Sequence, residues 1–165
     1  MRLLKTISDK IPDESLIVTR EASRAVLLDE NDLLPLLCVT KKGYHKLPGG
    51  GIDEGESREG ALRREVKEEV GSQIKITGEI GEIIEQRAKY NFKQVSYCYL
   101  GKITTKGNPQ FTEGELAKGF RVIWLSLDDA IMQVENDKPN DYEGIFIQQR
   151  DLEFLKAAKK MLSIS

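Results

Sequence analysis

A chain of 165 residues with 39% hydrophobic and 32% charged positions has the composition of one folded domain, 1–165, large enough to bury a core. No run approaches the roughly 20 apolar residues of a membrane-spanning helix, and the first ten residues lack the apolar stretch of a signal peptide, so a cytoplasmic protein without membrane contact is expected. A net charge of −2 argues against the broad basic face that binds a nucleic-acid polymer, and a protein of this balance that handles phosphates must neutralise them locally, for instance with a bound cation.

In chain order, residues 15–20 read as a strand. Two apolar runs, 24–28 and 33–40, are joined by Asp29-Glu30-Asn31-Asp32, which predicts a hairpin. Residues 41–55, rich in glycine and carrying Pro48, read as a loop or a short strand and a loop. A helix follows over 57–70, with Gly71 placed where a left-handed cap belongs. Residues 73–77, 79–88, 95–104 and 120–125 read as strands rich in β-branched and aromatic side chains. The polar segment 106–118 reads as a long loop, and Ser126 as the N-cap of a short helix. A last helix over 141–161 offers Ile145, Ile147, Phe154, Leu155, Ala158 and Leu162 as its apolar stripe. A mixed sheet packed between helices follows from this order. Cys38 and Cys98 sit among apolar and aromatic neighbours and read as buried small hydrophobes, not as a disulfide or an activated thiol.

The helix at 57–70 carries an unusual charge pattern. At about 100° per residue, Glu65, Glu68 and Glu69 share one face beside the apolar stripe of Leu62, Val66 and Val70. Each like-charge pair three or four residues apart costs roughly 0.2–0.5 kcal/mol, and carboxylates in the last turn oppose the helix dipole. Breaches of local consistency of this kind tend to mark functional sites. A divalent cation would turn the repulsion into ligation, and oxygen donors without nearby Cys or His favour Mg²⁺ or Mn²⁺. A solvated amphipathic helix is the plainer alternative.

Gly50 is followed after five residues by Glu56, and after seven more by Arg64-Glu65-Val66-Lys67-Glu68-Glu69-Val70-Gly71. This pattern, over residues 50–72, resembles the box of the Nudix hydrolase family, with Ser72 the one departure where the family has an aliphatic residue. Leu47-Pro48-Gly49-Gly50-Gly51 and the segment from Ile123 to Ala130 extend the resemblance over about residues 15–135. The resemblance implies an α/β/α sandwich with a mixed central sheet and a loop–helix–loop catalytic motif. It implies hydrolysis of a phosphoric anhydride in a nucleoside diphosphate linked to another group, with Mg²⁺ or Mn²⁺ as cofactor and a nucleotide-like small molecule as substrate. Glu65, Glu68 and Glu69 match the metal ligands, with a backbone carbonyl at Gly49 or Gly50 completing the shell and Glu65 or a neighbour activating water. Arg64 matches the residue that orients a box glutamate, Glu56 or Glu68. A further glutamate from a late loop, Glu115 in preference to Glu113, is the candidate ligand or base. Glycines 49–51 are expected to admit the anionic substrate.

His45 replaces an aromatic residue common before the glycines and reads as a loop or packing residue. Tyr90 stands near a position that accompanies dinucleoside polyphosphate hydrolases, and no proline between Gly71 and Gly107 supports ADP-ribose. The chain length suits a nucleoside triphosphate pyrophosphohydrolase. The alternatives are a dinucleoside polyphosphate or ADP-sugar hydrolase and a non-catalytic nucleotide sensor; an isoprenoid diphosphate isomerase is opposed by the intact box. The resemblance also admits a homodimer.

Overall fold

Two sheets and four helices organise the residues that the computed structural model describes, 1–10 and 14–164. The strands are β1 (Leu3–Ser8), β2 (Val18–Leu28), β3 (Leu34–Val39), β4 (Tyr44–Lys46), β5 (Gly49–Gly51), β6 (Gln73–Arg87), β7 (Phe92–Thr105) and β8 (Phe120–Leu125). The helices are α1 (Arg58–Val70), α2 (Glu113–Ala117), α3 (Leu127–Asn136) and α4 (Tyr142–Ile164). The larger sheet has the order β1-β6-β7-β2-β5 and is mixed: β1 runs parallel to β6 and β2 parallel to β7, while the other pairs are antiparallel. The smaller sheet, β4-β3-β8, is antiparallel.

Side-chain alternation along β2 sorts the core into two layers. Ala25 and Leu27 face α1, where Leu62, Val66 and Val70 pack with Tyr97 and Tyr99. Val26 faces the other way, into a cluster with Ile83, Cys98, Phe146, Phe154, Leu155 and Ala158 under α3 and α4. The result is the expected α/β/α layering. Both cysteines are buried and free, as read from their surroundings. Among the described residues no helix is long and apolar enough to cross a membrane.

Several boundaries differ from the expectation. The strand expected at 15–20 is β2, which begins at Val18, after a short 3₁₀ turn at Glu14–Leu16, and runs on without a break to Leu28, while β1 precedes it. The turn at 29–32 exists, because the Asp29 carboxylate accepts from the Asn31 and Leu33 N–H groups. It does not close a hairpin, since both edges of β2 are taken by β7 and β5 and the chain passes into the other sheet. Residues 73–77 and 79–88 form the single strand β6, irregular around Gly78 and Gly81. The segment 106–118 contains α2, started by a capping box in which Thr112 and Glu115 serve each other's backbone N–H groups. On α4, Ile145 points outward at 46% exposure.

Candidate active site

α1 starts and stops as its sequence dictates. The Ser57 hydroxyl accepts from the Gly60 N–H, and Gly71 takes the left-handed conformation at φ 71°. Ser72 fits after it by burying its side chain. Across the acidic face, exposure follows angular distance from the apolar stripe. The side chain of Glu69 is 4% exposed, that of Glu65 17% and that of Glu68 51%. One helix face therefore presents three carboxylates in three environments.

The like-charge repulsion on that face is met within the chain. Arg64 donates from Nε and Nη2 to the two oxygens of Glu56, at 3.0 and 2.9 Å, and from Nη1 to Glu65 Oε1 at 2.8 Å. Its Nη2 also reaches the Gly51 carbonyl at 3.1 Å, and Glu68 lies 3.7 Å from Nη1. The Arg64 bonds hold the Glu56 carboxyl below its usual range, and Glu56 in turn raises the guanidinium pKa. Glu69 accepts from Lys46 Nζ at 2.8 Å and from the Gly49 N–H at 2.7 Å, while burial pushes its pKa up. The clash visible in the sequence thus needs no ion for its resolution, because Arg64 and Lys46 supply the opposite charge.

The glycines before α1 are required by close approach. Gly49 sits at φ 130° with its Cα against the β2 backbone at Ser23, where a Cβ would collide. A Cβ on Gly50 would run into the Glu65 carboxylate. These two positions serve the fit between loop, strand and helix, and both also line the cleft where substrate entry was expected.

Glu65, Glu69, Gly49 and Gly50 line one side of a cleft of about 270 Å³, and Glu115 lines it from α2. Glu68, Glu56, Gly51 and Glu113 are not among the lining residues. His45 lies elsewhere, its Nδ1 2.8 Å from Asp137 Oδ1, and Tyr90 stacks edge-on against Tyr142. The donor set is all oxygen, and the Lys46 ammonium already holds the place of a cation against Glu69, so these residues fit a magnesium-like ion. Among the described residues no three acidic, His or Cys side chains form a ready-made cage.

The sequence reading missed the other half of the cleft. Arg24 of β2 and Arg150 of α4 line it, and both side chains are almost wholly buried. Arg150 donates from Nε to Asp151 Oδ1 at 2.7 Å and from Nη1 to Glu85 Oε2 at 3.2 Å. Asp151 in turn accepts from the Leu47 N–H, which ties α4 to the glycine loop. Glu85 also accepts from Arg87 and Gln94. Arg24 has only a long contact, 3.4 Å from Nη1 to the Ser23 carbonyl, and burial together with nearby Arg150 pulls its pKa down to about 10. The signal was present: 147, 150, 151, 154, 155 and 158 continue a helical core spacing through a charged pair.

Comparison with known proteins places these features in a family. A NUDIX domain model matches residues 15–146. An RNA pyrophosphohydrolase of Campylobacter jejuni subsp. doylei is 34% identical over 104 residues, covering 63% of this chain and 59% of that protein. A Bacillus subtilis protein, named there as a candidate 8-oxo-dGTP diphosphatase, is 32% identical over 101 residues, covering 61% of this chain and 62% of its own. The chain therefore spans about three fifths of the length of these curated relatives. A solved structure of a NUDIX hydrolase from Nitrosomonas europaea superposes with a TM-score of 0.61 at 19% identity, over 86% of this chain and 91% of that one, and shares the fold.

Proposed function

The chain belongs to the NUDIX family, and from that membership we propose that it hydrolyses a phosphoric anhydride bond in a nucleoside triphosphate, releasing a nucleoside monophosphate and pyrophosphate. The observation that supports this is the pairing of a carboxylate side, Glu65, Glu69 and Glu115, with a cationic side, Arg24 and Arg150, across one cleft. Such a cleft can hold an anionic diphosphate and keep a base beside it.

Glu65, Glu68, Glu69 and the Gly50 carbonyl would hold Mg²⁺ or Mn²⁺. When bound, the ion supplies charge neutralisation of the diphosphate and a more acidic water. Arg64 fixes Glu65 by one oxygen, Oε1, and leaves Oε2 to accept the proton of the attacking water. Glu115 lines the same cleft, its Oε2 accepting from the Thr112 N–H and hydroxyl in the α2 capping box. The relatives named RNA pyrophosphohydrolase favour a second reading, in which the same bond is cut at the 5′-triphosphate end of an RNA.

A panel of nucleoside triphosphates, a dinucleoside polyphosphate, ADP-ribose and a 5′-triphosphorylated oligonucleotide, each with Mg²⁺ and Mn²⁺, tests both. Phosphorus NMR of the products is expected to show pyrophosphate and a monophosphate from the triphosphates, with turnover reduced about a hundredfold or more in Glu69→Gln. Absence of hydrolysis across the panel, or undiminished turnover in that variant, would overturn the assignment.

A further inference from the structure

Buried guanidinium groups at and beside the cleft keep donors that their protein partners leave unmet. Arg24, Arg87 and Arg150 are buried there, against the buried carboxylates Glu85 and Asp151. Lys46 and Glu69 cancel each other, and Arg87 completes its own balance outward, at 3.2 Å from the exposed Glu143. Among the described residues Arg24 has no direct ion pair and its Nε no hydrogen-bond partner, and Asp151, Glu69 and Glu85 act on it only at longer range. Arg150 Nη2 is likewise without a partner. Both residues line the cleft.

A buried guanidinium without a carboxylate is expensive, because desolvation is repaid only by excellent pairing. Natural chains keep such a group where a ligand completes it. The ligand has to be an anion with several acceptor oxygens, since the donors are forked and come from two residues on two elements. Apolar and carbonyl ligands do not match that demand.

We propose that Arg24 and Arg150 form a phosphate-binding floor that grips the diphosphate of the substrate in the same cleft as the Glu65 and Glu69 carboxylates, and does so without a metal ion. The inference rests on the hydrolase reading for the identity of the substrate, but the binding itself does not. Division of labour follows from the placement. The carboxylate wall holds the cation and water, and the arginine floor fixes the phosphate oxygens. Arg20 and Lys118, exposed at the edge of the same cleft, extend the positive side toward solvent.

The test is calorimetric titration and thermal melting of the full chain in EDTA, with inorganic phosphate, pyrophosphate and a nucleoside monophosphate as separate arms. Pyrophosphate is expected to bind and raise Tm, and to bind tighter than inorganic phosphate. Arg24→Met is expected to weaken pyrophosphate about tenfold or more while its ligand-free Tm stays level or rises, because only one long backbone contact is lost and a buried charge is removed. Arg24→Lys is expected to recover part of the affinity. No binding in EDTA, equal binding by Arg24→Met, or a ligand-free chain that unfolds when Arg24 is replaced would each overturn the proposal. A preference for inorganic phosphate over both other arms would overturn the substrate as its occupant. None of these readouts needs turnover, so failure here leaves the hydrolase assignment standing, and an inactive enzyme that binds pyrophosphate would leave the floor standing.

Discussion

Arg24 lines the cleft, Arg64 braces the Glu65 that lines it too, and the two arginines are treated in opposite ways. Arg64 is held by Glu56, Glu65 and the Gly51 carbonyl, with a donor to each. Arg24 is more deeply buried, yet it has one long contact to a backbone carbonyl and an Nε without a partner. A saturated arginine is a strut: it fixes the groups around it and has nothing to offer a ligand. An unsaturated one in the same low-dielectric setting is strained electrostatically until an anion arrives. The cleft therefore combines a wall organised in advance with a floor left incomplete.

The largest expected effect comes from altering the floor's charge. Glu85 is fully buried and pairs with Arg87 and Arg150. Glu85→Gln leaves both cations short of a carboxylate, and urea denaturation is expected to show a loss of about 3–5 kcal/mol. Pyrophosphate should bind the folded variant more tightly, because the floor has become more positive. A variant as stable as the parent would show that the floor carries no electrostatic strain. Next in size is Arg64→Lys. One ammonium cannot span Glu56, Glu65 and the Gly51 carbonyl together, so kcat is expected to fall about a hundredfold with KM little changed. The same exchange at Arg24 should act mainly on KM. Equal kcat and KM responses at the two positions would erase the distinction between strut and floor.

Gly50→Ala tests the wall by crowding instead of deletion. The added methyl meets the Glu65 carboxylate, and the cost is expected at about 1–3 kcal/mol, with activity falling alongside as Glu65 is displaced. This result would also separate two roles for the glycines. A loss of stability without substrate present assigns Gly50 to internal fit.

The wall was legible in the sequence and the floor was not, for a physical reason. Arg64, Glu65, Glu68 and Glu69 lie within six positions, where helical geometry alone puts them on neighbouring faces, and Glu56 precedes the same helix by two residues. Their order of burial also follows from the angle each makes with Leu62, Val66 and Val70. The floor is assembled from β2, β6 and α4, residues far apart along the chain, and only the parallel pairing of β2 with β7 and the packing of α4 bring them together. Arg24 heads an apolar strand and so read as its boundary, and Arg150-Asp151 read as a gap in the α4 stripe when it lies on the buried face. α2 was missed because its capping box, Thr112 and Glu115, sits among glycine and proline signals that read as loop. What the charge pattern of α1 did not reveal was its own neutralisation, since Lys46 stands more than twenty positions away from Glu69.

The smallest expected effect separates two glutamates of the wall by pH. Arg64 lowers the Glu56 pKa below its usual 4.5, so Glu56 stabilises the fold above that value, and the contribution is lost as pH falls through the lowered folded pKa. Burial raises the Glu69 pKa, so its ionised form opposes folding at neutral pH, and this cost is relieved as pH falls toward 4.5. Melting curves taken downward from neutral pH should therefore show the Tm gap between the parent chain and Glu56→Gln to be greatest above pH 4.5 and to close below it. For Glu69→Gln the gap should move in the opposite sense over the window just above pH 4.5. Parallel curves for the two variants would mean that solvent, and not Arg64 on one side and burial on the other, sets the charge of the wall.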